Sequence, residues 1–477
     1  MSGLFGTLNN ATKGLLVQQS ALQTTSHNIS NANTEGYSRQ KVTMVADNPY
    51  TLGGIGQLGT GVRIASIDRI VDPYVNNQLR NENSSLEMYS QKSDVLGQLE
   101  GIFNEPSTTG LNNNLSKVFS SWTYLGSNPE LATAKTMVAQ NSETFTDTLH
   151  HMSNQIDNLH AGTVQNVVKN VSDFNSKVEQ LDSLNKQIFN VTSQGQAPND
   201  LLDQQDKILS ELSGIAGVEA SYDKFNRVSV SVGGQPVLTE DKINKVSVDT
   251  EATTAGQLKV NDTNIEIKSG TIKGSQEALV EINVKKQDLN ELAYTFATAV
   301  NKVHSDGGKG TGFFDLSETV DGNYAASIQV NKEILNDVSK INAGKNIETV
   351  VGGDGTRAQA IAALQNTKLD YSASPAEMKY NETTMMIDNQ PGGSTVAGAY
   401  NDSVTQMGIV KQQSDNMVDS QGSLVSLLEA RRDSVSGVSI NEEVTNTITY
   451  KSAFEANSRI ISVVSEMLDT LINRTGV

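Results

Sequence analysis

Three histidines, His150, His151 and His160, lie close together in the chain, and imidazole nitrogens are common ligands of transition metals. A shared ion would need them on one face of a helix. At 100° per residue, spacings of nine and ten set the pairs about 180° and 80° apart. They do not converge, and they read as a solvated face. No HExxH occurs, which removes the zinc-protease arrangement carried on a single helix. Two Gly-rich stretches, GGKGTG at 307–312 and VGGDGTR at 351–357, have the composition of phosphate-binding loops. Lys309 is followed by Gly310, however, where a P-loop needs Ser or Thr, so both read as ordinary loops. Asp315, Asp321 and Asp354 lack the spacing of a calcium loop. With no cysteine in the chain, disulfides, thiolate metal sites and Cys nucleophiles are excluded. The expectation is a non-enzymatic protein with no catalytic residues, no metal and no cofactor.

The elements that carry these residues are mostly helical. The 477 residues correspond to two to four domains. Apolar residues are 36 % of the chain and aromatics 5 %, which suits thin, elongated cores better than one thick globule. Lys plus Arg number 36 against 54 for Asp plus Glu, a formal charge of −18. Such a surplus repels phosphate backbones and anionic lipid, so neither nucleic acid nor membrane is an expected partner. No window approaches the length of a membrane helix. The first twenty residues lack the basic and apolar regions of a secretory signal, so export would need another machine.

Leu4, Leu8, Ala11, Leu15, Gln18, Leu22, Thr25 and Ile29 alternate spacings of four and three, the rhythm of a coiled-coil seam. The stretch HNISNANTEGYSRQ at 27–40 then stops the helix, with Gly36 suited to positive φ. Glycines at 53–61 mark a flexible connection, Val62 and Ile64 a short strand, and Asp72–Pro73 a helix start. Apolar rhythm from Val138 to Val191 predicts a rod of roughly 90 Å if Gly162 does not interrupt it. Val228, Val230 and Val232 before Gly233–Gly234, and Asn261–Asp262 before Ile265, predict hairpins. Helix returns at 276–304, and Trp122 is an expected core anchor.

Tyr450, Phe454, Asn457, Ile461, Val464, Leu468 and Leu471 repeat the four/three spacing at the other end. Both ends thus carry seams made to meet another helix, and the opposite end is the obvious partner. Asn457 either fixes the register, as polar seam residues do, or sits at a partly wet contact. The expected interface residues are Leu4, Leu8, Leu15, Leu22, Ile29, Tyr450, Phe454, Ile461, Val464, Leu468 and Leu471. Full order of these ends is expected only among neighbouring copies in a tube.

The chain accordingly divides into an N-terminal coiled-coil helix at 1–35 and the first half of a helical rod domain at 36–216. A small β domain at 217–275, a helical return at 276–309 and a mixed inserted domain at 310–395 follow. The second half of the rod is 396–437, and a C-terminal coiled-coil helix is 438–477. The fold class is multidomain and mainly α, with β-rich or mixed domains inserted between the helical halves.

NISNANTEGYSRQ, including Asn31, Asn33, Thr34, Gly36 and Tyr37, resembles the N-terminal signature of bacterial flagellar axial proteins. The tail SVSGVSINEEVTNTITYKSAFEANSRIISVVSEMLDTLI resembles their C-terminal signature. Interior stretches narrow the resemblance to the hook-associated protein 1 family: IDRIVDPYVNNQLR at 67–80, APNDLLDQQDKILSELSGIAGV at 197–218, ELAYTFATAVNKVHSDG at 291–307, GTGFFDL at 310–316 and GGDGTRAQAIAALQN at 352–366. Glu35 stands where the family usually has Pro, and Gln205 where Arg is common. The resemblance implies a terminal coiled coil, a rod domain built from both chain halves, and a structural role joining hook to filament outside the cell. It also implies export through the flagellar secretion apparatus without a cleaved signal. The implied partners are further copies of the chain, hook protein, hook-associated protein 3 and an export chaperone on the C-terminal region. Two alternatives stand beside it: a sibling axial protein (hook-associated protein 3, a rod or a hook subunit), and a secreted adhesin or enzyme with axial-type termini.

Overall fold

A computed structural model describes the chain except residues 1–2, 55, 106, 251–254, 317–321, 349–350, 372–377 and 475–477. Asp321, weighed above as a calcium ligand, lies outside the described residues. Helix α1 (Leu4–Ser30) leads into an antiparallel ribbon, β1 (Gln40–Ala46) with β4 (Val62–Arg69), whose tip is the hairpin β2 (Tyr50–Leu52) and β3 (Gly56–Leu58). The helices α2 (Pro73–Phe103), α3 (Leu111–Ser127), α4 (Ala132–Thr192) and α5 (Asn199–Ile215) follow. Two three-stranded antiparallel sheets come next: β5 (Val218–Tyr222), β6 (Val228–Val232) and β7 (Gln235–Leu238), then β8 (Val246–Val248), β9 (Leu258–Val260) and β10 (Thr263–Ile265). Helix α6 (Thr271–His304) precedes short elements: β11 (Phe314–Asp315), α7 (Tyr324–Ser327), β12 (Gln329–Val330), α8 (Lys332–Asn336), α9 (Thr356–Ala363), β13 (Tyr380–Asn381) and β14 (Met386–Ile387). Two long helices, α10 (Val396–Ser436) and α11 (Ile440–Asp469), end the fold.

Local chemistry accounts for many boundaries. Asp72 caps α2 by accepting from the backbone N–H of Tyr74 (3.0 Å) and Val75 (3.3 Å), with Pro73 at the first helical position. Gly233–Gly234 and Asn261–Asp262 turn β6 into β7 and β9 into β10, with all four residues at positive φ. Gly162 does not interrupt α4, whose 61 residues make one continuous helix of roughly 90 Å measured along its axis. The ribbon is where the structure adds most. The Gly-rich connection expected at 53–61 is the tip of a hairpin, and the short strand at Val62–Ile64 extends to Arg69 and pairs with β1. Both faces of β1 alternate only weakly in polarity, so period-two patterning left it unseen.

Two hydrophobic cores lie along α4. The first gathers α3, the end of α2, α4 as far as Val164, most of α6 and the start of α10. The second gathers α4 from Val167 to Leu181, α5, Ile272 at the start of α6 and the strands β5 to β10. One helix therefore serves as a beam shared by both. Residues 310–395, expected as an inserted mixed segment, put Phe313, Phe314, Ile328, Val330, Ile361 and Leu369 into the first core. Trp122 anchors that core with no exposed surface, its ring 5.1 Å from that of Phe313. The VGGDGTR loop is structural: a Cβ on Gly355 would fall 2.0 Å from the Gly126 carbonyl oxygen, so only glycine lets α9 start against the end of α3. His150 donates from Nε2 to the Ile328 carbonyl (2.6 Å). Among the described residues no three His, Asp or Glu side chains are grouped to hold a metal ion, and no helix is long and apolar enough to cross a membrane.

Candidate assembly interface

Helices α1 and α11 pack against each other. Gly14 faces Asn457, and Asn28 reaches Glu443. In both contacts the residue numbers add to 471, so the pair is antiparallel. Leu4, Leu8, Leu15, Leu22, Ile29, Tyr450, Phe454, Ile461 and Leu468 are half-buried, and Val464 is buried. Leu471 is 58 % exposed, because in this register it lies past the start of α1. The most buried line on α1 is different from the leucine seam: Ala11, Gly14, Val17, Ala21, Thr24, Thr25 and Asn28. Here α1 lies between α11 on one side and the ribbon on the other. Small side chains allow that close approach, while the leucines reach around its edges. Asn10 donates to the Gly59 carbonyl and Lys13 pairs with Asp47 at 2.5 Å, tying α1 to the ribbon.

Asn457 sits over Gly14, where a Cβ would come 2.8 Å from its Oδ1. Its Nδ2 donates to the Ala453 carbonyl (2.9 Å) within its own helix. The polar seam residue is thus matched to the one position opposite that has no side chain. Leucine at position 14 is expected to overpack this contact and weaken the terminal pair by roughly 1–3 kcal/mol. Hydrogen exchange should then speed up in α1 and α11 and stay unchanged in α4; equal exchange in all three would count against the matching.

The signature loop closes the pair onto the helical body. Asn31 Nδ2 donates to the His27 carbonyl (3.1 Å) and Thr34 Oγ1 to Asn31 Oδ1 (3.2 Å), so both finish the helix end. Gly36 takes φ 81°, as its place in the turn requires, and Asn33 is exposed. Tyr37 points inward, and its hydroxyl donates to Asn28 Oδ1 (2.8 Å). Asn28, 1 % exposed, also accepts from the Gln40 N–H (2.9 Å) and donates to the Gln40 carbonyl (2.9 Å) and to Glu443 (3.3 Å). All its polar capacity is used, as burial demands.

Charged groups surround this node. Glu443, 2 % exposed, pairs with Arg39 Nε at 2.7 Å, and Glu442 with Arg39 Nη1 at 2.9 Å. The Arg39 backbone N–H donates to the Ser436 carbonyl, which holds the end of α10. Asp203 on α5 accepts from the Ser38 N–H (3.1 Å) and from Arg69 (2.7 Å). Burial raises the Asp203 pKa, against the pull of Arg69 and Ser38. Burial, then the nearby charges of Asp200, Asp203 and Glu443, hold the Tyr37 phenol above its usual range. The arrangement binds six elements (α1, β1, β4, α5, α10, α11) through a largely buried polar node, so the direction of the terminal pair is set by the helical body.

Sequence reasoning singled out Tyr37 and Gly36 in the signature; Asn28, Arg39, Asp203 and Glu443 stand inside the same family motifs but were given no role of their own. The signal available was polarity inside otherwise apolar rhythm: the carboxylate Glu443 and the amide Asn28 interrupt their helices at inward positions.

The pair leaves large apolar side chains bare. Ile440, Val444 and Ile448, spaced by four, are 52 %, 46 % and 62 % exposed, and Val463 and Met467 are each 50 % exposed on α11. Phe5 and Leu16 of α1 are exposed by 54 % and 56 %. Single exposed apolar residues are ordinary; rows at helical spacing mark a surface made to be covered.

Comparisons with known proteins agree with this geometry. Residues 96–323 match the family model for the flagellar hook-associated protein FlgK helical domain. Residues 8–37 match that for flagella basal body rod protein, and 431–474 that for the flagellar basal body rod FlgEFG protein C-terminal region. The chain is 29 % identical to flagellar hook-associated protein 1 of Bacillus subtilis (strain 168), covering 100 % of this chain and 99 % of that one. It is 25 % identical to flagellar hook-associated protein 1 of Escherichia coli (strain K12), covering 98 % and 99 %. In fold it is similar to the flagellar hook junction protein FlgK from Burkholderia pseudomallei, with a TM-score of 0.60 at 16 % identity over 76 % of this chain and 100 % of that one. With relatives aligned over nearly the whole length, and rod-type ends flanking a helical body that matches the hook-associated model, the chain is similar from end to end to flagellar hook-associated protein 1.

Proposed function

We propose that this protein is a mechanical adaptor between the hook and the filament of the bacterial flagellum, assembled through its terminal helices into a short tubular layer. The observation that carries the reading is the half-covered state of the α1/α11 pair: one face of each helix is buried against the other, and the rows from Ile440 and Val463 are open to solvent. In a tube of like helices those rows meet neighbouring copies, and burial of each large apolar side chain contributes about 1.5–3 kcal/mol. Hook protein and hook-associated protein 3 are the axial neighbours in this reading, and an export chaperone covers the same exposed C-terminal rows before assembly. The protein leaves the cell through the flagellar secretion apparatus and works at the hook–filament junction.

Deletion of residues 1–30 or of 440–477 tests it. Each truncated chain is expected to keep the helical content and thermal transition of the two cores, since neither segment contributes to them. Incorporation is expected to fall to nothing, with hooks left bare and filament subunits lost to the medium. Normal filaments on cells producing only a truncated chain would refute the reading.

A further inference from the structure

Away from the terminal pair, the cleft between α6 and the first half of α10 encloses a cavity of about 540 Å³, within the range that seats a ligand or a few anchoring side chains. Its floor is apolar, formed by Phe103, Leu289, Leu292, Tyr371, Tyr400 and Val410. The rings of Phe103 and Tyr400 stack at 6.0 Å. At the rim Val284 is 43 % exposed, and Val280, one helical turn earlier, 61 %. Lys285 in the wall is already engaged: it is 4 % exposed, and its Nζ lies 2.7 Å from Asp288 and 3.1 Å from Ser403 Oγ. Glu281, Glu291 and Asp402 also line the cavity, and among the described residues no Lys or Arg forms an ion pair with any of the three. Glu291 accepts a hydrogen bond from the neutral amide of Gln287 (2.7 Å). The result is an apolar floor under an uncompensated negative rim, whose low-dielectric walls concentrate the field.

We propose that this cleft docks a cationic amphipathic segment of a partner protein. An apolar or aromatic side chain of the segment rests on the Phe103–Tyr400 floor, and its Lys or Arg residues meet Glu281, Glu291 and Asp402. A helix laid between two helices is a recurrent mode of such recognition. The charge selects the occupant: with a net charge of −18, the chain repels acidic partners and further copies of itself at this surface. The site lies on the helical body and does not use the terminal pair, so it stands or falls independently of the assembly mode.

The absence of cysteine gives a clean test on the full-length chain. Gln406→Cys, at an exposed position lining the cleft, carries a single environment-sensitive dye. The probes are a synthetic helix-forming Leu/Lys peptide and the same peptide with every Lys replaced by Glu. The basic peptide is expected to shift the dye signal saturably and the acidic one not at all. Glu281→Lys with Asp402→Lys should weaken the basic peptide at least about tenfold, as like charge now faces like. Asp173→Lys with Asp419→Lys, the same charge change on exposed remote surface, should alter it less than about twofold. If the double reversal fails to fold by circular dichroism, the neutral variants Glu291→Gln and Asp402→Asn serve, each expected to weaken binding by about threefold. Equal losses from the remote and the cleft variants, or equal binding of the acidic peptide, would overturn the proposal. A dye shift driven more tightly by the unlabelled chain itself would also overturn it, by making a second copy the occupant.

Discussion

Replacing Arg357 by alanine is expected to lower the stability of the helical body by about 3–5 kcal/mol, the cost of breaking a buried charged cluster by removing one partner. Arg357 has no exposed surface, yet all five N–H groups of its guanidinium find acceptors. Nε donates to the Gly344 carbonyl (3.0 Å), Nη1 to the Val303 carbonyl and to the Tyr380 hydroxyl (3.2 Å), and Nη2 to the Lys345 carbonyl (2.6 Å) and Asp306 (3.3 Å). The side chain therefore joins the end of α6, the 341–345 loop, the start of α9 and β13. Alanine would leave the buried Val303 carbonyl, the Gly344 and Lys345 carbonyls and the Asp306 carboxylate each short of a partner. Lysine, with three donors and no fork, should lose somewhat less. Trp122, the single tryptophan, lies in the same core and reports the transition by fluorescence in guanidinium chloride. A midpoint within error of the parent chain for Arg357→Ala would show that the clamp is not what holds these segments.

The second large effect is set by pH. His304 has no exposed surface. Its Nδ1–H donates to the Thr311 carbonyl (2.9 Å), and its Nε2 accepts the Asn342 backbone N–H (3.0 Å). Geometry thus demands the neutral ring, because a proton on Nε2 would confront another N–H. Burial lowers the His304 pKa from 6.5 to about 4, and the positive charges of Arg357 and Lys135 act in the same direction, against the Thr311 carbonyl. In this window the unfolded chain binds a proton that the native chain refuses. The contribution is present in full above pH 6.5 and is lost as pH falls towards 4. A gap of this size corresponds to roughly 3 kcal/mol. The lowered carboxylates Asp306 and Asp354 weaken the fold only at still lower pH, below 3.8. Denaturation midpoints at pH 7.0, 5.5 and 4.0 should fall steadily for the parent chain. For His304→Gln, whose amide can both donate and accept, they should be much flatter across the same range. An equal slope in both would remove His304 as the cause.

The motif that carries Arg357 illustrates where sequence reasoning stops. GGDGTR was legible as a loop and as part of a family resemblance, and its Gly355 does open a tight approach to Gly126. Nothing in those six residues says that Arg357 would be swallowed whole, because its acceptors lie on segments as far away as Val303 and Tyr380. The signature loop behaves in the same way. Gly36, Thr34 and Asn31 act within a few residues of themselves, and their turn was readable. Asn28 and Glu443 meet across 415 positions of chain, and each looked locally like a polar interruption of a seam. On α1 the leucine rhythm was also real, yet the deepest line runs through Ala11, Gly14 and Ala21. A helix packed on two sides buries its small residues most completely, and periodicity in leucine alone reports only one side.

By itself, the sequence determined what depends on neighbours in the chain. Its heptad spacing made both ends helices with apolar seams, Asp72–Pro73 started α2, paired turn residues bent the strands, and matching ends together with interior motifs marked the family. Only the tertiary structure decided which polar groups would share a buried node, how segments of 310–395 would join the core of α3 and α6, and which apolar rows would be left for neighbours. The physical reason is range. Helix and turn preferences are settled by interactions over about four residues, whereas a buried charge survives only where distant parts of the chain bring all its partners at once.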